Sequence, residues 1–154
     1  MIDFYGGLLL PILKAACQPM IAAKQLRGQS DGFLTSVHNP PWLCHIFDGI
    51  TPESDGSLTF LRYTTLHRLY IQWQAWDVAE RELANLSNML VQHLLGRAGT
   101  PLTNGTATPH YKGGVFTVSP LSTGFVAVGT TTYRIADVRS TLGIKLSQNY
   151  WSTL

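Results

Sequence analysis

Residues Leu66 to Gly96 read LHRLYIQWQAWDVAERELANLSNMLVQHLLG, and the change of period inside this stretch decides the fold class. From Leu66 to Trp76 the odd positions Leu69, Ile71, Trp73 and Ala75 are apolar. The even positions are Arg68, Tyr70, Gln72, Gln74 and Trp76. A period of two marks a strand with one buried face. Asp77 then stands where an N-cap belongs, and Glu80 three residues on completes an approximate capping box. Ala79, Leu83, Leu86, Leu90 and Leu94 follow at helical spacing on one stripe, and Gly96 is placed to close the helix in a left-handed conformation. The reading is a strand feeding directly into the helix that covers it.

Working outward toward the N-terminus, Leu58 to Thr65 continues this strand, with a bend expected near Thr64-Thr65. Asp48 to Ser57, rich in Gly, Pro, Ser and acids, reads as a loop or hairpin tip. Trp42 to Phe47, behind Asn39-Pro40-Pro41, has the length and residue types of another strand. Leu9 to Leu26 is helical in pattern, with Pro11 in the first turn and Ile12, Leu13, Ala16, Met20 and Ala23 near one stripe. Pro19 is expected to kink or split that helix, and Gly28 to Gly32 to end it.

On the other side, Arg97 to Gly114 is a long polar loop of Gly, Thr, Pro and Asn. Val115 to Val118 and Phe125 to Val128 are short strands, and Thr130 to Leu146 is long enough for one strand or two. Tyr133 and Ile135 fall on one parity and Val138, Leu142 and Ile144 on the other, which predicts a β-bulge near Ala136-Asp137. The expected fold is α+β: a single domain over residues 1–154, with an antiparallel or mixed sheet packed by one long amphipathic helix and a kinked N-terminal helix.

Composition narrows the function classes. A chain of 154 residues has room for one sizeable core. Charged residues are only 13% of it, about half the usual share, so either the surface is unusually neutral or much of it is buried against other chains. A net charge of +2, with eleven basic residues scattered along the chain, gives no basic stripe for binding nucleic acid by counterion release. The apolar run Leu8 to Leu13 has no basic segment before it and is too short to span a bilayer. No membrane role is expected. Cys17 and Cys44 read as buried free thiols.

Candidate chemistry is sparse. His38, Cys44 and His45 form a sensible zinc donor set, the basis of an alternative reading as a small metal-dependent hydrolase, but neighbours on a strand point to opposite faces. The acids of the Asp48 to Asp55 region read as solvated, and Asp77, Glu80 and Glu82 as complements of the helix dipole. Tyr70, Trp76, Tyr133, Tyr150 and Trp151 would suit base stacking, yet without basic neighbours they read as core or subunit contacts. No cofactor, metal site or catalytic group is expected.

The order of elements resembles the small α+β proteins at the head-to-tail junction of tailed bacteriophages, the tail terminator family above all. The resemblance spans roughly residues 8 to 146. It rests on Pro41 to Ile46 as a strand behind prolines, on Arg68 to Asp77 running into the Glu80 to Leu95 helix, and on Gly124-Phe125-Val126-Ala127-Val128 before the final strand. It implies a virion protein assembled in the host cytoplasm, a homo-oligomeric ring of usually six copies. Such a ring sits on the tail tube protein, stops its growth and meets the head connector, while DNA passes through the lumen without specific binding. A head-completion or stopper protein of the same junction is the alternative. In such a ring the loop Arg97 to Gly114 would be ordered by a neighbouring subunit or by the tube below. That puts Arg97, Thr100, Asn104, His110 and Lys112, with Tyr150 and Trp151 of the tail, at a subunit or tube interface, and Arg68, Gln72 and Gln74 toward the channel.

Overall fold

The computed structural model of the chain describes residues 3–37, 39–55, 58–73, 76–96, 111–112 and 116–146. A π-helical turn, Tyr5–Leu9, leads into α1, Leu10–Ala22. Then come β1 (Gly28–Asp31), β2 (Trp42–Asp55), β3 (Leu58–Gln72), α2 (Trp76–Gly96), β4 (Tyr111–Lys112), β5 (Phe116–Val118), β6 (Ser122–Val128) and β7 (Thr131–Leu146). The seven strands form one mixed sheet in the order β1-β2-β3-β7, and β6, β5 and β4 pair in turn along the outer side of β7. β1 runs parallel to β2, and every other pair is antiparallel. The α+β class expected from the sequence is the class observed.

Both helices lie on one face of the sheet. Ala79, Leu83, Leu86, Leu90 and Leu94 of α2 are buried, as their spacing predicts, against Leu13, Cys17 and Met20 of α1 and Leu43, Leu69, Ile71, Ala136 and Val138 of the sheet. A second apolar cluster on this face gathers Phe4, Leu9, Tyr63, Leu142 and Ile144 under the N-terminal turn. The opposite face is closed too. Val37, with Leu34 packed beside it, covers Cys44, Ile46, Leu66, Tyr70, Tyr133 and Ile135, and the Tyr133 hydroxyl donates to the Val37 carbonyl at 3.0 Å.

Several sequence expectations change. β3 ends at Gln72, Trp73 is 39% exposed, and α2 already includes Trp76, so Asp77 is a first-turn acid and not the N-cap. Glu80 makes no capping box; its carboxylate is taken by Arg134, 2.6 Å away on β7. Gly96 is the last residue of the helix, and its φ is not positive.

Pro19 neither splits nor ends α1, because it falls in the last turn and the helix continues to Ala22. The true stop is a Schellman motif. Gln25 donates to the Met20 carbonyl (2.8 Å) and Lys24 to that of Ile21 (2.9 Å), with Lys24 at φ 60° in the place glycine usually takes. Gly28 to Asp31, expected only to end the helix, is a strand. Gly28 packs so closely under the Trp42 ring that a Cβ would stand 2.4 Å from it.

The stretch Asp48 to Asp55, expected as a loop or hairpin tip, is no loop but the distal half of β2 in the β2–β3 hairpin, paired with β3 as far as Asp55↔Leu58; Gly56 and Ser57 lie outside the described residues. Its turn-forming residues are tolerated because no strand among the described residues pairs with the outer side of β2 beyond His45, and Pro52 needs no N–H there. The bulge expected in β7 at Ala136-Asp137 is absent: β7 pairs with β3 in unbroken register from Tyr133 to Leu146. The parity change arises because the two faces carry separate cores. The bulge sits in β2 at Asp48, opposite the expected bend at Thr64-Thr65, where Phe47 pairs with Thr65 and Gly49 with Thr64. Within the presumed loop 97–114, Tyr111 and Lys112 form β4, paired with Leu146 and Lys145.

Candidate functional site

Between the two apolar clusters under the helices runs a buried polar belt. His45 of β2 and His67 of β3 are register partners, 1% and 0% exposed, with Nδ1 facing Nδ1 at 2.8 Å and rings nearly perpendicular. The direction of every bond follows from one end. The Lys14 backbone carbonyl can only accept, so the Gln29 atom 2.9 Å from it is the amide nitrogen, and Gln29 Oε1 faces His45. That oxygen also only accepts, so His45 Nε2–H donates to it at 2.7 Å. His45 Nδ1 is then the bare nitrogen and receives the His67 Nδ1–H, which leaves His67 Nε2 to accept from Ser140 Oγ–H at 2.7 Å. One tautomer of each ring satisfies the whole chain. Burial lowers the pKa of His45 to about 4; nearby Asp31 opposes this and Lys14 adds to it. Burial also holds His67 well below the ordinary histidine range, with His45 adding to the effect. The two neutral, buried imidazoles form a structural tie between α1, β1, β2, β3 and β7.

The zinc set does not come together. Cys44 faces Ser30 and the Val37 side of the sheet, while His45 lies under the helices; His38 is outside the described residues. Among the described residues no group of three or more His, Cys, Asp or Glu side chains converges. Tyr70 and Tyr133 are 2% and 6% exposed, which removes them from any stacking surface. Arg68 is held by Asp137 in a bidentate pair of 2.8 and 2.9 Å, with its guanidinium 5.7 Å from the Phe33 ring centre; Gln72 is exposed at the end of β3. Lys112 lies in β4. Gln74, Trp76's side chain, Arg97, Thr100, Asn104, His110, Tyr150 and Trp151 are outside the described residues.

The surface features that sequence reasoning missed are apolar. The bulge at Asp48 brings Phe47 and Ile50, three residues apart, onto the same face, because their partners Thr65 and Tyr63 share it. They are 49% and 48% exposed, and Tyr5 meets Phe47 edge-on at 4.8 Å. On the opposite flank, Trp73 and Phe125 meet edge-on at 5.1 Å, and the Arg134 guanidinium stands 4.6 Å over the Phe125 ring. Arg134 is itself fixed by Glu80, the Gly124 carbonyl and Thr123. This holds the α2 N-terminus, β6 and β7 as one rigid block.

Among the described residues no helix is long and apolar enough to cross a membrane. No protein-family model matches the chain, and no curated protein matches it.

Proposed function

We propose that the chain is a structural subunit of a phage head-to-tail junction, a tail-terminator-like protein that forms a ring on the end of the tail tube. The observation that carries the reading is the Phe47–Ile50 margin. Two large apolar side chains are aimed by one bulge onto the same face of a strand whose outer side, among the described residues, is unpaired beyond His45. Isolated exposed apolar residues are ordinary, but a clustered pair beside a sheet edge is what a neighbouring subunit covers. A ring needs two unlike surfaces per subunit, and this margin supplies one of them. The element order supports the same reading, with the long β2–β3 hairpin, α2 and the final strand β7 in the sequence the resemblance requires. The partners are then other copies of the chain, usually six, the tail tube protein and the head connector, with DNA in the lumen. A head-completion or stopper protein fits the same surfaces.

Native mass spectrometry of the chain mixed with tail-tube protein tests this. The expected product is a hexameric ring on the tube, lost in the Phe47→Asp/Ile50→Asp variant, whose fold is kept because both side chains are exposed. A chain that neither reaches a ring nor binds the tube overturns the reading.

A further inference from the structure

The two flanks of the sheet are built differently. On the β1–β2 side, β1 is only four residues long, and β2 beyond it carries the bulge at Asp48 and Pro52 in place of an N–H. Each of these is a device that stops another strand from adding. On the other side β6, Ser122–Val128, reads STGFVAV: seven residues without a charge, a proline or a bulge, in unbroken register with β7. Its hairpin loop is the two-residue Gly129-Thr130, with Gly129 at φ 65° as a type II′ turn requires at its first central position. Among the described residues no strand pairs with the outer side of β6. Phe125, at its centre, is 51% exposed and already clamped by Arg134 and Trp73, so its contact area needs no ordering on binding.

We propose that β6 is a self-pairing edge, where a second copy of this chain adds its own β6 antiparallel across a two-fold axis at Phe125. The choice of occupant follows from the asymmetry. An unbroken seven-residue edge does not match the bulged, proline-bearing margin of β2, and β1 is too short to match seven residues; the matching edge on this chain is β6 itself. Pairing like with like closes after two copies, so the unprotected strand gives a defined pair instead of an open fibre. The contact places Phe125 opposite Phe125 of the partner copy and Thr123 opposite its Ala127, aromatic at the centre and small at the flanks. It goes beyond the ring reading and does not depend on it, because it joins like surfaces on the flank opposite the Phe47 margin.

The experiment is oligomeric state with site-specific crosslinking on the purified full chain. Cys17 and Cys44 are buried, so an introduced surface thiol can be oxidised without competition from them. Light scattering is expected to show a dimer that grows with concentration and is lost in Ala127→Lys, an exposed position where an edge lysine blocks pairing. Phe125→Cys is expected to crosslink to itself under mild oxidant. Thr123→Cys crosslinks only when mixed with Ala127→Cys, since disulfide geometry demands directly opposed positions. A monomer at all concentrations overturns the proposal. So does an assembly that ignores Ala127→Lys and gives no crosslink at 125; if that assembly were a hexamer, the ring reading would stand while the self-pairing edge fell.

Discussion

His45 and His67 meet nitrogen to nitrogen at 2.8 Å inside the sheet–helix layer, and each ring is held in one neutral tautomer by a hydrogen-bond chain that starts at the Lys14 carbonyl and ends at Ser140. Such a pair has only one proton for the shared contact. Adding another means reversing the chain around a buried charge, and adding two sets N–H against N–H.

That makes stability fall with acid in a defined window. Unfolded histidines protonate near pH 6.5, whereas in the folded protein His45 does so only near about 4 and His67 also well below 6.5. Below 6.5 the unfolded chain therefore binds more protons. The stabilisation is complete above pH 6.5 and is lost as pH falls from there toward 4, at about 1.4 kcal/mol per pH unit for each histidine. Urea midpoints across this range should decline steeply, and His67→Asn should flatten the slope. The hydrogen bond from Arg134 lowers the Glu80 carboxyl from its ordinary value. An equal slope in the wild-type chain and the variant would show that the pair is not its source.

Arg68 is committed to stability by its bidentate bond to Asp137, with both side chains less than a fifth exposed. Replacing Arg68 with Gln removes a charge-assisted pair and is expected to cost about 1.5–3 kcal/mol. Arg68→Lys should recover only part of this, because a point charge cannot make the fork. If Arg68→Gln left thermal stability unchanged, the residue would be free for the channel-facing role.

Lys24 holds the C′ position of α1 at φ 60°, a conformation that costs a non-glycine residue about 1–2 kcal/mol. Glycine removes that strain but adds freedom to the unfolded chain, so Lys24→Gly should raise stability by up to about 1 kcal/mol. A drop in stability would mean that the lysine side chain contributes more than the strain it brings.

Helix α2 was legible because a single buried stripe imposes a single period. Leu90 is 0% exposed, and Leu90→Ala should cost about 2–5 kcal/mol, whereas Leu95, 51% exposed, should tolerate alanine within about 0.5 kcal/mol. Comparable losses at both positions would move the stripe off the core.

Other parts of the fold were not legible, for physical reasons visible at particular residues. Gly49, Pro52 and Ser54 carry turn chemistry yet sit in a strand, since a strand unpaired on one side, as β2 is here among the described residues, tolerates what a central one would not. Gly28 to Asp31 has no apolar pattern at all; β1 forms because Gly28 fits under Trp42 and Gln29 reaches both Lys14 and His45. His45 was singled out in the sequence, but beside Cys44, which faces the other way. Its real partner, His67, is 22 positions on, and finding it requires the hairpin register. The Phe47–Ile50 margin depends on the bulge between them, which no local pattern announces.

The two thiols complete the picture of a sheet closed on both sides. Cys17 lies in the core under α2 and Cys44 in the cluster on the opposite face, so the sheet separates them and a disulfide between them would require unfolding. Burial pushes the Cys17 thiol up to about 12, and it raises that of Cys44 as well, against the hydrogen bond with Ser30 and the charge of Arg68. At neutral pH neither is a thiolate, and neither can be reached by an aqueous electrophile. Mass spectrometry after iodoacetamide treatment should find the native chain unmodified and the denatured chain carrying two labels, on Cys17 and Cys44. Rapid single labelling of the native chain at Cys44 would show that Val37 and Leu34 open away from that face. The second core would then be a transient cover, and the depth assigned to Tyr70 and Tyr133 would fall with it.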